Sequence, residues 1–334
     1  MSVLFLFIDG IGLADASEFN PFSERYFPGF NRLTSGRKVL KDGPAQPTPD
    51  AEITSSFGSS PAAETIADKS QSTSVQSSAP VLFKSIDALL GVDGLPQSGT
   101  GQASLFSGEN AASLIGRHFG PFPHSGTKVL LQERSLFHKA ASVGLKPHFI
   151  NAFPDVFFQR AEKRNRWSCA TLMTRSAGLH INSLEEVRQG SAVTAEILQD
   201  YWQSLLNVDI PSITYGDAAR RVVTSLNKYD IVLMEYYLTD KAGHSRNMVD
   251  AVRSIERIDG FITALLDELQ DGNNHTLVVT SDHGNVEDLS VKTHTYNPVP
   301  LIVSGPHAAQ FNEITDLTGV TPAILSCFQY TGNY

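Results

Sequence analysis

Residues 2–8, SVLFLFI, make a nearly unbroken apolar run that stops at Asp9-Gly10. A strand with one solvated face alternates apolar and polar residues, so a continuous run needs cover on both faces, as a central parallel strand has. DIVLMEYY reads as a further buried strand, and HTLVVTSD and PVPLIVSG as two more strands. Helical patterns sit among them: YGDAARRVVTSLNKY, the long amphipathic NMVDAVRSIERIDGFITALLDELQ and a closing DLTGVTPAILSCFQ. Strands alternating with helices predict an α/β fold, a mostly parallel central sheet with helices on both faces. Open α/β sheets bind ligands at the carboxyl ends of their strands, which is where Asp9 falls.

A chain of 334 residues accommodates one large α/β domain or a core carrying an insertion. The clear patterning places a core in residues 1–108 and 213–334, with 109–212 as an inserted cap or substrate region. Within that insert, KPHFINA reads as a strand, and helices are expected near 127–143 and 191–206. Residues 43–80, rich in Ser, Ala, Pro and Thr without apolar periodicity, read as a mobile surface excursion.

The net charge of −9 argues against general nucleic-acid binding, which wants a basic face. No window approaches the ~20 apolar residues of a membrane span. The apolar start lacks a basic leader and a small-residue cleavage site, so a buried strand is expected there and not an export signal. Cys169 and Cys327 do not suggest a disulfide framework. The expected setting is cytoplasmic, with a small-molecule partner and neither membrane nor nucleic acid.

Four motifs fall at predicted strand ends or just beyond: Asp9 in FIDGIG, Asp240 and His244 in LTDKAGHS, Asp282-His283 in VVTSDHGN, and His294 in KTHTYNPVP. Singly, each has a plain explanation as a turn residue, a structural histidine or an exposed helical pair. Together they bring three carboxylates and three imidazoles to one edge of a parallel sheet. Converging carboxylates raise one another's pKa values, and divalent cations relieve that repulsion. Mixed Asp/His ligation suits Zn²⁺ or Mn²⁺, and six ligands plus a hydroxyl suffice for two metal ions.

The hydroxyl comes from GLPQSGTGQASLFSG, residues 94–108. Ser98 reads two ways: as an N-cap accepting a bond from the first helical turn, or as a nucleophile at a helix N-terminus that favours negative charge.

Asp9, the Ser98 segment, TDKAGH, SDHGN and THTYNPVP resemble, in order and spacing, the alkaline phosphatase superfamily. SDHGN followed by HTYNPVPLIVSG is most similar to its cofactor-independent phosphoglycerate mutase branch. The resemblance covers roughly residues 1–35, 85–108 and 213–330. It implies two divalent ions, Zn or Mn. Asp240, His244 and His294 would hold one. Asp9, Asp282 and His283 would hold the other, completed by Ser98. It also implies that Ser98 is the nucleophile, with Thr100 in reserve and Gln102 at a position that often carries a polar ligand contact. The segment SGTGQASLFSG resembles the sulfatase nucleophile segment as well, but lacks the Cys/Ser-x-Pro-x-Arg pattern of formylglycine formation.

Where the mutase branch carries an Asn-Ser-Glu-Val-Gly-His segment, this chain has PQSGTGQ, without the Glu and the His. The expected activity is therefore hydrolysis of a small phosphoester through a phosphoserine. A phosphomutase is the runner-up, and a catalytically weak metal- and phosphate-binding protein the third reading. Between Arg117 and Arg166, nine Lys or Arg residues face three acids, a local excess that fits an anion funnel or a solvated helix face. Within it lie Arg160, Lys163, Arg164 and Arg166, of which at most two are expected to reach a bound phosphate.

Overall fold

The computed structural model describes residues 1–41, 80–269 and 274–328. Eight strands are present among them: β1 (Ser2–Ile8), β2 (Val81–Ile86), β3 (Pro147–Phe149), β4 (Asn151–Ala152), β5 (Val193–Thr194), β6 (Ile231–Tyr236), β7 (His275–Thr280) and β8 (Val299–Ser304). Six form one sheet in the order β2-β8-β7-β1-β6-β3, and β4 pairs with β5. The fold is α/β with a mixed, mostly parallel sheet. β1 runs parallel to β6 and β7 on its two sides, and every one of its residues is buried.

Alternate residues of β1 feed two cores. Val3, Phe5 and Phe7 face one side, where they meet Leu105 and Phe106 from the helix Ser98–Ser107, together with Leu130, Phe137 and Met173. Leu4, Leu6 and Ile8 face the other, against Phe30, Val222, Ile255 and Ile262 of the helices Pro28–Leu33, Tyr215–Leu226 and Met248–Glu268. A strand coated on both faces has no use for a polar alternation, which is why the sequence carries none.

The mostly parallel sheet has one reversed neighbour, and the described residues refine the sequence reading in two further places. β8 pairs antiparallel with β7 and with β2. No helix separates β7 from β8, only the loop 281–298, and an antiparallel neighbour needs no crossover. His294 thus precedes the amino end of β8, but reversal of that strand keeps it at the edge where β1 and β7 end.

The segment 109–212 is not a separate insert along its whole length: β3 joins the main sheet beside β6, and residues 111–140 and 161–173 supply much of one core. Only the neighbourhood of β4 and β5 forms a small core of its own, with Ala152, Val187, Trp202 and Ile210. The expected helix over 191–206 is confined to Asp200–Leu206, because Val193-Thr194 pairs with β4 and both Ile197 and Gln199 take positive φ. The expected excursion at 43–80 lies, except for Pro80, outside the described residues.

Candidate metal and nucleophile site

The sheet topology gathers the expected side chains. Asp9 follows β1, Asp282 and His283 follow β7, and Asp240 and His244 lie on the helix Leu238–Ser245 that follows β6. Gly10 takes φ +73, and a Cβ there would lie 2.8 Å from the Asp240 Cα, so only glycine lets the Asp9 turn approach that helix. The Thr239 hydroxyl donates to the Asp9 carbonyl at 2.5 Å and ties the two together.

Two trios of possible ligand atoms each lie within 4.8 Å of one another: Asp9, Asp282 and His283, and Asp240, His283 and His294. His283 stands between them, its ring stacked on His294 with centroids 3.7 Å apart. His244 closes the outer side, with Nε2 3.4 Å from Asp240 Oδ2 and 3.3 Å from His294 Nε2. All six expected side chains share one cluster.

Their tautomers suit ligation. The Nδ1 of His294 lies 2.7 Å from the Pro96 carbonyl and that of His244 lies 2.9 Å from the Lys292 carbonyl. A carbonyl only accepts, so each Nδ1 carries a proton and each Nε2 is the atom turned to the cluster. Burial, followed by the neighbouring His294, drives the His283 pKa from 6.5 down to about 3 and keeps that ring neutral. Burial and then Asp240 push Asp282 up to about 7, and burial with Asp282 and Asp240 lifts Asp9 well above its usual range. Oδ1 of Asp9 and Oδ1 of Asp282 are buried without a hydrogen-bond partner. Crowded carboxylates with orphaned oxygens beside three imidazoles are the donor set a divalent cation fits.

Ser98 is the first residue of its helix. Gln97 occupies the cap position in extended conformation without a side-chain cap bond, so Ser98 is not the N-cap. Its Oγ lies 2.9 Å from His283 Nε2, inside the cluster. Thr100 does other work. Its hydroxyl is bonded to the Gln97 and Phe119 carbonyls and accepts from the Phe119 N–H, fastening the loop 117–126 over the helix start. Gln102 reaches in from one turn on. Its Nε2 donates to Asp9 Oδ2 at 3.3 Å and to Asp282 Oδ2 at 3.1 Å, bridging the two carboxylates.

The sequence reading missed Glu287 and Asn285. Glu287 is fully buried, and its carboxylate accepts from the backbone N–H of Gly12 at 2.9 Å and of Asn285 at 2.7 Å. It also accepts from the Thr295 hydroxyl and from Asn297 Nδ2 at 3.1 Å. One side chain thereby holds the Asp9 turn, the Asp282-His283 turn and the His294 loop together. A Cβ on Gly12 or Gly284 would lie 2.3 or 2.2 Å from Glu287 Oε1, so the two glycines make room for it. Asn285 Nδ2 donates to Asp240 Oδ1 at 2.6 Å and orients that carboxylate. Neither residue type announces such a role; the glycines flanking two ligand motifs were the available signal.

The four expected cations divide. Arg160, Arg164 and Arg166 line a cavity of about 550 Å³, whereas Lys163 is not in its lining. The loop 117–126 packs on the helix start, as the Thr100 N–H to Phe119 carbonyl bond of 2.9 Å shows.

A family profile described as the metalloenzyme superfamily matches residues 204–331, which include Asp240, His244, Asp282, His283 and His294. The chain is 36% identical over 106 residues to the 2,3-bisphosphoglycerate-independent phosphoglycerate mutase of Pyrobaculum aerophilum, covering 30% of this chain and 25% of the relative. It is 28% identical over 123 residues to the same-named protein of Malacoplasma penetrans, covering 35% of this chain and 24% of the relative. The matched stretch spans about a quarter of these relatives' length.

Among solved structures, the alkaline phosphatase of the Antarctic bacterium TAB5 superposes with a TM-score of 0.52 at 14% identity over 97% of each chain. The cold-active alkaline phosphatase of Shewanella sp. superposes with a TM-score of 0.53 at 12% identity, over 99% of this chain and 100% of that one. These two likenesses are of fold.

Proposed function

We propose that this chain, which a metalloenzyme superfamily profile matches over residues 204–331 and which is distantly similar to cofactor-independent phosphoglycerate mutases, hydrolyses a phosphoester through a phosphoserine at Ser98. The observation that carries the reading is the position of Ser98 Oγ, at the start of a helix and 2.9 Å from His283 in a cluster of Asp and His ligand atoms. Asp240, His244 and His294 would hold one divalent cation, and Asp9, Asp282, His283 and Ser98 the other. When bound, Zn²⁺ or Mn²⁺ at these positions supplies Lewis-acid stabilisation of charge on the entering and leaving oxygens.

The protein's own groups account for the rest. Ser98 Oγ loses its proton and bonds to phosphorus as the ester P–O bond breaks, and the departing oxygen takes up a proton. Water then attacks the phosphoserine, inorganic phosphate leaves, and Ser98 regains its proton. The helix N-terminus favours the negative charge that gathers there, and Gln102 holds the Asp9 and Asp282 carboxylates in place.

The second reading, a phosphomutase, is favoured by the names of the curated relatives. A mutase must keep water out while it grips the dephosphorylated substrate. This chain has PQSGTGQ where the mutase branch carries its nucleophile segment, without the Glu and the His, which favours hydrolysis. A panel of phosphoesters with added Mn²⁺ or Zn²⁺ separates the two readings. Steady release of inorganic phosphate is expected; clean interconversion of phosphoglycerate isomers without release would establish the mutase.

The carboxylates also set a pH dependence. A carboxyl whose pKa is higher folded than unfolded contributes stability that is full below the unfolded value and is lost as pH rises through the folded one. Asp282 (3.8 to about 7), Glu235 (4.5 to about 7) and Asp9, also raised, therefore favour folding of the metal-free protein at low pH. His283, lowered from 6.5 to about 3, has the opposite sign and offsets part of this only below its unfolded value of 6.5. Thermal melts in chelator should thus fall from pH 6 to pH 8. Added metal should reverse the fall, by about 4 kcal/mol at a thousandfold excess over Kd. A chelated protein with the same melting temperature at both pH values would remove this electrostatic account of the site.

A further inference from the structure

The cavity of about 550 Å³ adjoins the candidate site. Its lining includes Leu238 and Lys241 from the helix that carries Asp240, and Glu235 from the strand beside β1. Ser168 also lines it, one residue before Cys169, whose Sγ is 3.6 Å from the Gly99 carbonyl at the Ser98 turn.

The interior of the cavity is aromatic, with Phe122, Phe153, Phe157, Tyr201 and Trp202. Its lining also includes four exposed cations, Arg160, Arg164, Arg166 and Lys241. Among the described residues none of these four is ion-paired with a carboxylate, whereas six of the other twelve arginines are. The Arg166 guanidinium instead lies 4.6 Å over the Phe122 ring, which leaves its edge free to donate. The wall bearing Tyr201 and Trp202 is fixed in advance. Arg257 binds Asp200 through both oxygens at 2.5 and 2.7 Å and lies 4.8 Å over the Tyr201 ring, pinning the helix Asp200–Leu206 to the helix Met248–Glu268.

A preformed aromatic pocket with unpaired cations in its lining, beside a phosphoryl-transfer centre, has a defined complement. We propose that the cavity receives the organic part of the substrate, and that this part is an aromatic ring bearing an anionic group. The proposal rests on the hydrolase reading above for the phosphoester at the other end of the molecule. A three-carbon acid phosphate would leave the aromatic wall uncovered, whereas a ring fills it and its anionic substituent meets the guanidinium donors in charge-assisted hydrogen bonds.

Three esters test this on the metal-loaded enzyme: glycerol phosphate, phenyl phosphate and 4-carboxyphenyl phosphate. We expect kcat/KM to rise about tenfold or more at each step. Arg164 and Arg166 are exposed, so the double Arg164→Ala/Arg166→Ala variant keeps the fold. It should lose the second step while keeping the first. Calorimetric titration of the chelated protein with 4-hydroxybenzoate, the leaving group of the third ester, reads the cavity without catalysis. Binding should weaken about tenfold or more in the double variant. Binding of 4-hydroxybenzoate without turnover of any ester would uphold the cavity assignment and overturn the hydrolase reading. Equal kcat/KM for the three esters, or turnover of phenyl phosphate with no binding of 4-hydroxybenzoate, would overturn the cavity assignment.

Discussion

Ser98→Ala should lower kcat on the order of 10³-fold or more while leaving the fold in place. Deleting a covalent nucleophile removes the first chemical step, and what remains is the catalysis due to positioning and charge stabilisation. The fold survives because Ser98 makes no cap bond and, among the described residues, its hydroxyl bonds to His283 Nε2 alone. Thr100 cannot take over, since its hydroxyl is committed to the loop 117–126. Residual activity must then come from water. A variant retaining more than about a tenth of wild-type kcat would assign the first step to water in the native enzyme too, by the same arithmetic. Metal stoichiometry measured on the same variant separates loss of chemistry from loss of the centre: most of the metal affinity should persist, because the five Asp and His groups of the two trios, and His244 beside them, remain.

Glu287→Ala should have the largest effect on stability. The substitution strips the acceptor from four donors, two of them backbone N–H groups, in a fully buried position. An unsatisfied buried donor costs about 1–3 kcal/mol, so even with some relaxation the loss is on the order of 3 kcal/mol or more. Because Glu287 joins the turns that carry Asp9, Asp282 and His294, metal affinity should fall with it, although Glu287 is not in either trio of ligand atoms. Urea titration would show the midpoint shifted at an unchanged slope. A shift corresponding to less than about 1 kcal/mol, with metal affinity intact, would mean that the three turns hold their geometry without this brace.

The strands were legible because burial on both faces leaves a run that admits few alternatives: SVLFLFI, IVLMEY and HTLVVT are strands where the apolar runs placed them. The candidate ligands were legible because Asp and His at the ends of such strands are chemically specific, and a parallel sheet sends those ends to one edge. Strand direction was not, since PVPLIVSG reads the same whether it runs with or against β7; only the missing helix between them carried that information. Core membership of residues 111–173 escaped notice for a different reason. The helices there are five to ten residues long, too short to display a sustained period, and β3 has only three residues. Glu287 stood in NVEDLS as an ordinary acid beside another. Its burial is a property of three loops meeting, which no local pattern encodes.

Phosphopeptide mapping of protein quenched in acid during turnover tests the central claim most directly. With Mn²⁺ or Zn²⁺ and a phosphoester that the enzyme demonstrably consumes, the peptide containing Ser98 should carry a phosphoryl group. That label should disappear when chelator precedes substrate. Demonstrated turnover with Ser98 unmodified, or with the phosphoryl group on another side chain, would contradict the account.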